Sequence, residues 1–441
     1  MNQTENTIKH INEVIGLLNK ETNYAVLRNF EGLPDKNNSR DIDIIITRKS
    51  YNKVKNSLVE LIDKSGWKII TYLHSDRLIS YVCATTTEEQ TDIIQWDFFF
   101  DTSVWGIQLM SAEEFLANRK FNGFLYYIDT DGQFLDKYLY NRAVGSKYPE
   151  KYQATREVAE QLPVVTEKIK EIFGCSSVAQ CDKESVKKLI MRALWANIKK
   201  RPFALVCSII YFLYTFIGNY ICSHTGLSIG FTGPDGSGKT TVIDMLLERI
   251  APVFGLAHKY YHFRPALFGN LGEVAHSAGI KKEVDRNFDK PHRGRKTGKL
   301  SSLARLTYYS IDYIIGYFIK IKSVTRITRA VVFDRYFTDI ICDSRRTRIY
   351  LNHKFLYWWG KLFIPSLNYN ILLTASSETI LARKRELDEE GIRIINDKID
   401  YLCNKKGYRK VLNETTPQAA VCEILTHVFE EQHKKNLRRL K

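Results

Sequence analysis

One stretch, LSIGFTGPDGSGKTTVIDML from Leu227 to Leu246, constrains this chain more than any other. LSIGFT reads as a buried strand, and TTVIDMLLERI carries apolar residues at helical spacing. The residues Gly233-Pro234-Asp235-Gly236-Ser237-Gly238-Lys239-Thr240 join the two and fit G-x-x-x-x-G-K-[ST]. Glycines at 233, 236 and 238 let the backbone turn tightly, so that successive N–H groups point inward. Such a loop cradles phosphates. Lys239 supplies a point charge to the β- and γ-phosphates, the Thr240 hydroxyl is placed to ligand Mg²⁺, and the helix adds its positive end. Gly233, Asp235, Gly236, Ser237, Gly238, Lys239, Thr240 and Thr241 are therefore the expected nucleotide-binding residues, with ATP and Mg²⁺ as cofactors.

At 441 residues the chain is long for one domain. Three blocks are expected. Residues 1–140 mix short strands (NYAVLRNF, DIDIIIT, WKIITYL, LISYVCA, DIIQWDFFF) with helices. Residues 141–225 read as a helical, charged connector containing an apolar segment, 202–222. Residues 226–441 alternate strands and longer helices, which argues for a parallel sheet with crossovers. The net charge of +16 implies an anionic partner: nucleotide, nucleic acid, acidic lipid or acidic polymer. No nucleic-acid-binding module is recognisable. The eight cysteines form no C-x-x-C pair, so reduced thiols in the cytosol are expected rather than zinc or disulfides. The polar N-terminus, MNQTENTIKHINEV, does not read as a signal peptide.

The segment RPFALVCSIIYFLYTFIGNYIC is uncharged from Pro202 to Cys222 and follows Lys199-Lys200-Arg201. Its length reaches that of a transmembrane helix. A single crossing would put the two flanking blocks on opposite sides of a membrane, although both are expected to need cytosolic nucleotides. A helix lying in the membrane interface, a buried or partner-packed helix, and a true span all stay open. A second apolar helix, LTYYSIDYIIGYFIKI (306–321), follows the basic stretch KKEVDRNFDKPHRGRKTGK. Basic and Tyr-rich apolar residues together suit an anionic membrane surface. A cytoplasmic protein that touches the cytoplasmic face of the membrane is expected. A homodimer stays open.

AVVFDRYFTDIICDSRR supplies the next element: a strand, Ala330–Phe333, running into Asp334-Arg335-Tyr336. Ligands bind at the carboxyl edge of open α/β sheets. Asp334 there can act through Mg²⁺ or on the acceptor, and Arg335 can clamp a phosphate. With the phosphate loop, this D-R-Y turn resembles the thymidylate kinase branch of the nucleoside monophosphate kinases over roughly 226–432. The resemblance implies that Asp235 contacts the acceptor nucleoside. It also implies that a catalytic arginine comes from the lid, since Gly236 stands where some members carry one in the loop. Arg383, Lys384 and Arg385 are the cations available in the expected lid. Arg264, in YYHFRPALFG, stands where such kinases hold the acceptor's phosphate, and Arg335 with Tyr336 would face the acceptor. Arg345, Arg346 and Arg348 lie just beyond the turn and suggest a larger or more anionic acceptor than a nucleotide.

In the first block Asp41 and Asp43 alternate along one strand, so both carboxylates face one side and can share a divalent metal. Asp97 sits in a second apolar strand and can complete a triad. The three resemble the nucleotidyltransferase fold, in which D-x-D follows a Gly-Ser pair. Here Arg28-Asn29 holds that place. An active nucleotidyltransferase, a degenerate binding domain and chance acids on a strand are all open, with a D-x-D glycosyltransferase as an outside reading. The expected activity is ATP- and Mg²⁺-dependent phosphoryl transfer. The company of domains suggests a sugar, glycan or lipid-linked acceptor in surface polysaccharide assembly. Alternatives are dTMP phosphorylation, nucleotidyl transfer with a nucleotide-sensing phosphate loop, and a nucleic-acid-dependent ATPase.

Overall fold

The computed structural model describes residues 4–37, 39–222, 225–254, 259–268, 298–326, 329–384 and 387–440. They form two compact units of mixed α/β structure. One comprises Met1–Thr85, Asp92–Ser223 and Gln432–Lys441, the other Thr86–Thr91 and His224–Glu431.

The first unit is built on a seven-stranded sheet. Its order is Lys68–His74, Leu78–Thr86, Thr91–Phe99, Asp41–Ile46, Tyr24–Val26, Tyr126–Tyr127, Lys120–Phe121. Strand alternation divides the central strand between two cores. Ile42, Ile44 and Ile46 join Trp67 and Trp96 under helices Glu5–Glu21 and Arg48–Lys64. Those helices start where Thr4 and Thr47 side chains accept the backbone N–H of Thr7 and Ser50. Ile45 instead joins Phe99, Phe134, Ile169 and Leu189.

This second core corrects the expected boundaries. Helices Pro163–Phe173 and Val186–Lys200 are no separate connector, because they bury their apolar faces against the block that precedes them. An amphipathic helix must cover its stripe with something, and the sheet offers a second face. The last ten residues also leave the block expected at 226–441. Asn436 Nδ2 donates to the Ile69 and Ile70 carbonyls, each at 2.9 Å. These carbonyls lie where strand pairing slips between Ile69 and Thr71, so the carboxamide satisfies groups the irregular ladder leaves over. Asn436→Ala is expected to destabilise this unit by about 1–3 kcal/mol in urea unfolding.

The second unit carries five parallel strands in the order Lys259–His262, Ala330–Asp334, Leu227–Thr232, Tyr369–Thr374, Tyr408–Leu412, flanked by helices. The strand before the glycine-rich loop is central and buried throughout, as LSIGFT was expected to be. Helix Lys239–Phe254 follows the loop directly. The second apolar helix runs Lys299–Gly316 and continues as a π-helical turn, Tyr317–Lys322. Most of the basic stretch before it lies outside the described residues.

Candidate active site

The glycine-rich loop closes around its own lysine. Lys239 is buried, and its Nζ donates to the carbonyls of Gly233 at 2.9 Å and Pro234 at 2.8 Å. Burial, then the neighbouring Arg335 charge, lower its pKa to about 8. Gly236 and Gly238 have φ of +90° and +84°, the left-handed region that glycine enters without strain. Gly233 is fixed by space, since a Cβ there would collide with the Leu373 carbonyl oxygen. Gly233→Ala is therefore expected to weaken ATP binding at least about tenfold by titration calorimetry, through displacement of the loop. Asn413, the residue just after the outermost strand, donates through Nδ2 to the Ser237 carbonyl at 2.9 Å and braces the turn from outside. Thr240 and Thr241 lie in the first turn of the helix and are exposed.

Asp334 ends its strand in register with Phe231, beside the strand that feeds the loop. It is buried. Oδ2 accepts from the Tyr260 hydroxyl at 3.2 Å, and Oδ1 has no partner among the described residues. A buried carboxylate oxygen left unpaired is costly, and a cation would satisfy it. Together with the Thr240 hydroxyl, this donor set fits Mg²⁺, whose ligands are oxygens. Burial, then the Asp334 charge, push the Tyr260 hydroxyl up to about 12, so it stays a donor at neutral pH.

Arg335 lies at the centre of an ion-pair network. Its backbone adopts φ +75°, held by its N–H donating to the Phe231 carbonyl at 2.8 Å. Nη1 donates to Asp339 Oδ1 at 2.6 Å, and Nη2 pairs with Asp235. The other Asp235 oxygen pairs with Arg346. Asp339 is 1% exposed and its second oxygen has no partner among the described residues. Burial raises its pKa despite the Arg335 charge.

The expected residues divide as follows. The structure brings Lys239, Asp235, Asp334, Arg335 and Arg346 to one edge of the sheet. Arg383 ends helix Ser377–Arg383, and its Nη1 donates to the Asn413 carbonyl at 3.0 Å, beside the loop residue Gly238. Arg385 lies outside the described residues. Arg345 stays exposed and pairs with Asp388 at 3.1 Å. Arg264 is buried and pairs with Asp312 at 3.1 Å, under the Tyr309 ring.

Tyr336 requires correction. Its ring packs against Tyr313 and Phe333, and its hydroxyl donates to the Pro365 carbonyl at 2.8 Å, so it serves the core rather than an acceptor. Asp339, Tyr260 and Asn413 went unread. Asp339 had a signal, four residues beyond Arg335 on a short helix. The other two come from distant strands and had none.

In the first unit Asp41, Asp43 and Asp97 do converge. Asp43 is in register with Asp97, and the three offer carboxylate oxygens within 4.8 Å of one another. Arg28 enters the same cluster: Nε contacts Asp43 at 2.7 Å and Nη1 contacts Asp136 at 2.7 Å. Burial raises Asp43 to about 6 despite that guanidinium. Asp97 accepts from the Gln95 amide at 2.9 Å. The oxygens suit a divalent ion, but Arg28 already supplies a positive charge where the expected Gly-Ser grip would leave room.

No protein-family model matches this chain, and no curated protein sequence matches it. Among solved structures, a thymidylate kinase from Ehrlichia chaffeensis is similar at 16% identity, over 46% of this chain and 98% of that one, with a TM-score of 0.32. A thymidylate kinase from Candida albicans is similar at 18% identity, over 47% of this chain and 93% of that one, with a TM-score of 0.34.

Proposed function

We propose that the C-terminal unit is an ATP- and Mg²⁺-dependent phosphotransferase. One observation carries this reading: the unpartnered Asp334 oxygen and the Arg335 network share a sheet edge with a loop built to hold phosphates. Bound Mg²⁺ would neutralise charge on the β- and γ-phosphates, with Thr240 and Asp334 as its holders. Lys239 would exchange its two loop carbonyls for phosphate oxygens. Arg335 would fix Asp235 and Asp339 and so set the acceptor's approach. Arg383 would close over the γ-phosphate as charge develops there. An acceptor oxygen would attack the γ-phosphorus in line, with ADP as the leaving group and a hydroxyl acceptor's proton released to solvent.

For the acceptor we favour a sugar, glycan or lipid-linked intermediate of surface polysaccharide assembly. The support is the company of domains, with Arg346, which reaches Asp235 at the site's edge, as a cation beyond Arg335. A nucleoside monophosphate such as dTMP is the alternative. A second reading, nucleotidyl transfer by the first unit, is favoured by the convergence of its three aspartates.

Transfer of label from γ-labelled ATP with Mg²⁺ separates these. Wild type and Lys239→Ala are compared on dTMP, on other nucleoside monophosphates and on a membrane-glycan extract. Lys239-dependent label in the glycan or lipid fraction supports the favoured acceptor, and Lys239-dependent dTDP supports the alternative. Activity lost in Asp43→Ala but kept in Lys239→Ala would move the chemistry to the first unit.

A further inference from the structure

We infer that the first unit docks on an anionic lipid surface through helix Pro202–Cys222, which lies in the interface and does not cross it. By length and composition, residues Pro202–Tyr220 could cross a membrane, and little of that stretch is buried. Its two faces differ. One is fastened to the domain: Tyr211 Oη and His74 Nε2 are 2.7 Å apart, and Asn219 Nδ2 donates to the His74 carbonyl at 2.7 Å. Leu205 and Thr215 are buried on the same side. Gly106 lies so close that a Cβ there would stand 2.7 Å from the Ile209 backbone. A helix crossing a bilayer would have to abandon all of these contacts, leaving Asn219 unpaired in hydrocarbon.

The other face is apolar and exposed. Phe203, Val206, Ile210, Leu213, Ile217 and Tyr220 follow one another at spacings of three and four, and exposure reaches 85% at Phe203 and 61% at Ile210. Tyr214 and Phe216, also exposed, widen the stripe to about 160° of the helix at 100° per residue. A two-helix seam needs only the narrow stripe, so the width favours a plane over a second helix. The preceding helix, Val186–Lys200, likewise exposes Met191, Trp195 and Ile198.

Charge selects the kind of plane. From Val186 to Cys222 there is no Asp or Glu, against Lys187, Lys188, Arg192, Lys199, Lys200 and Arg201. Lys188 and Lys200 reach back to Glu184 and Glu171, while Lys187 and Lys199 are exposed. Apolar residues flanked by cations, with tyrosine and tryptophan among them, are the chemistry of an acidic bilayer surface. This inference does not rest on the phosphotransferase reading.

The test is flotation of the full-length protein with vesicles of phosphatidylcholine, alone or with about a quarter phosphatidylglycerol. Wild type is expected to float with the acidic vesicles and to be released about tenfold by raising salt to about 0.5 M. Ile210→Asp with Ile217→Asp should weaken binding about a hundredfold. Lys187→Glu with Lys199→Glu should weaken it about tenfold. All four positions are exposed, so the variants should melt as wild type does. Failure of wild type to float overturns the inference. So does a dimer that Ile210→Asp with Ile217→Asp dissociates while no vesicle binds, since a second copy would then cover the face. Retention after an alkaline wash, with one unit protected from protease inside sealed vesicles, would establish a span and equally overturn it.

Discussion

Lys239→Ala should lower phosphoryl transfer by about a thousandfold or more while leaving the rest of the fold intact. The ammonium carries most of the positive charge the loop can offer, and alanine removes it without adding bulk. Lys239 is held by the Gly233 and Pro234 carbonyls, in a buried position that lowers its pKa to about 8. Triphosphate oxygens would replace those carbonyls with full negative charges and raise the pKa again. ATP binding at pH 8 should therefore take up roughly half a proton in wild type and markedly less in Lys239→Ala. Calorimetry in two buffers of different ionisation enthalpy reads this directly. Equal uptake in both proteins would mean that the nucleotide never reaches the lysine. Lys239→Arg should not restore transfer, because a planar fork cannot occupy the place of a compact ammonium.

How far this site could be read from the chain follows from how local each part is. The phosphate loop is contiguous: one short run sets strand, turn and helix, and the glycine requirements recur in the observed φ values. Asp334 and Arg335 were legible because a strand running into a charged pair puts both at the sheet's carboxyl edge. Tyr336 was misread because adjacency to those residues says nothing about direction. Its ring turns into the core, where Tyr313 and Phe333 receive it.

Groups that meet only after folding were the least visible. Asn413 lies 176 residues from Ser237, whose carbonyl it satisfies. Asn436 serves a strand irregularity 366 residues away. The same holds for boundaries. The residues of 141–225 read as helical and charged, but nothing in them said which surface would cover those helices. Asp41 and Asp43 were legible from alternation, whereas Arg28, placed where Gly-Ser was expected, showed its pairing with Asp43 and Asp136 only in the fold.

Arg335→Ala should give the largest loss of stability, about 3–5 kcal/mol in the second unit. The guanidinium is buried among Asp339, Asp235 and the Gly233 carbonyl. Removing it leaves Asp339, 1% exposed, with no cation touching either oxygen among the described residues, while Asp235 keeps Arg346. The cost should depend on pH with a definite sign. Burial already raises the Asp339 pKa, and loss of Arg335 would raise it further. A carboxyl whose folded pKa exceeds its unfolded value binds more protons when folded, so stability falls as pH rises between the two. The variant's deficit should therefore be smaller at about pH 5.5 than at about pH 8, read in the unfolding transition that added nucleotide shifts. Arg335→Met with Asp339→Leu should recover most of the lost stability, because an apolar pair of similar volume needs no compensating charge. It should not recover phosphoryl transfer. Recovery of both would mean that the network is only structural, and recovery of neither would mean that the side-chain volumes, rather than the charges, hold this edge of the sheet.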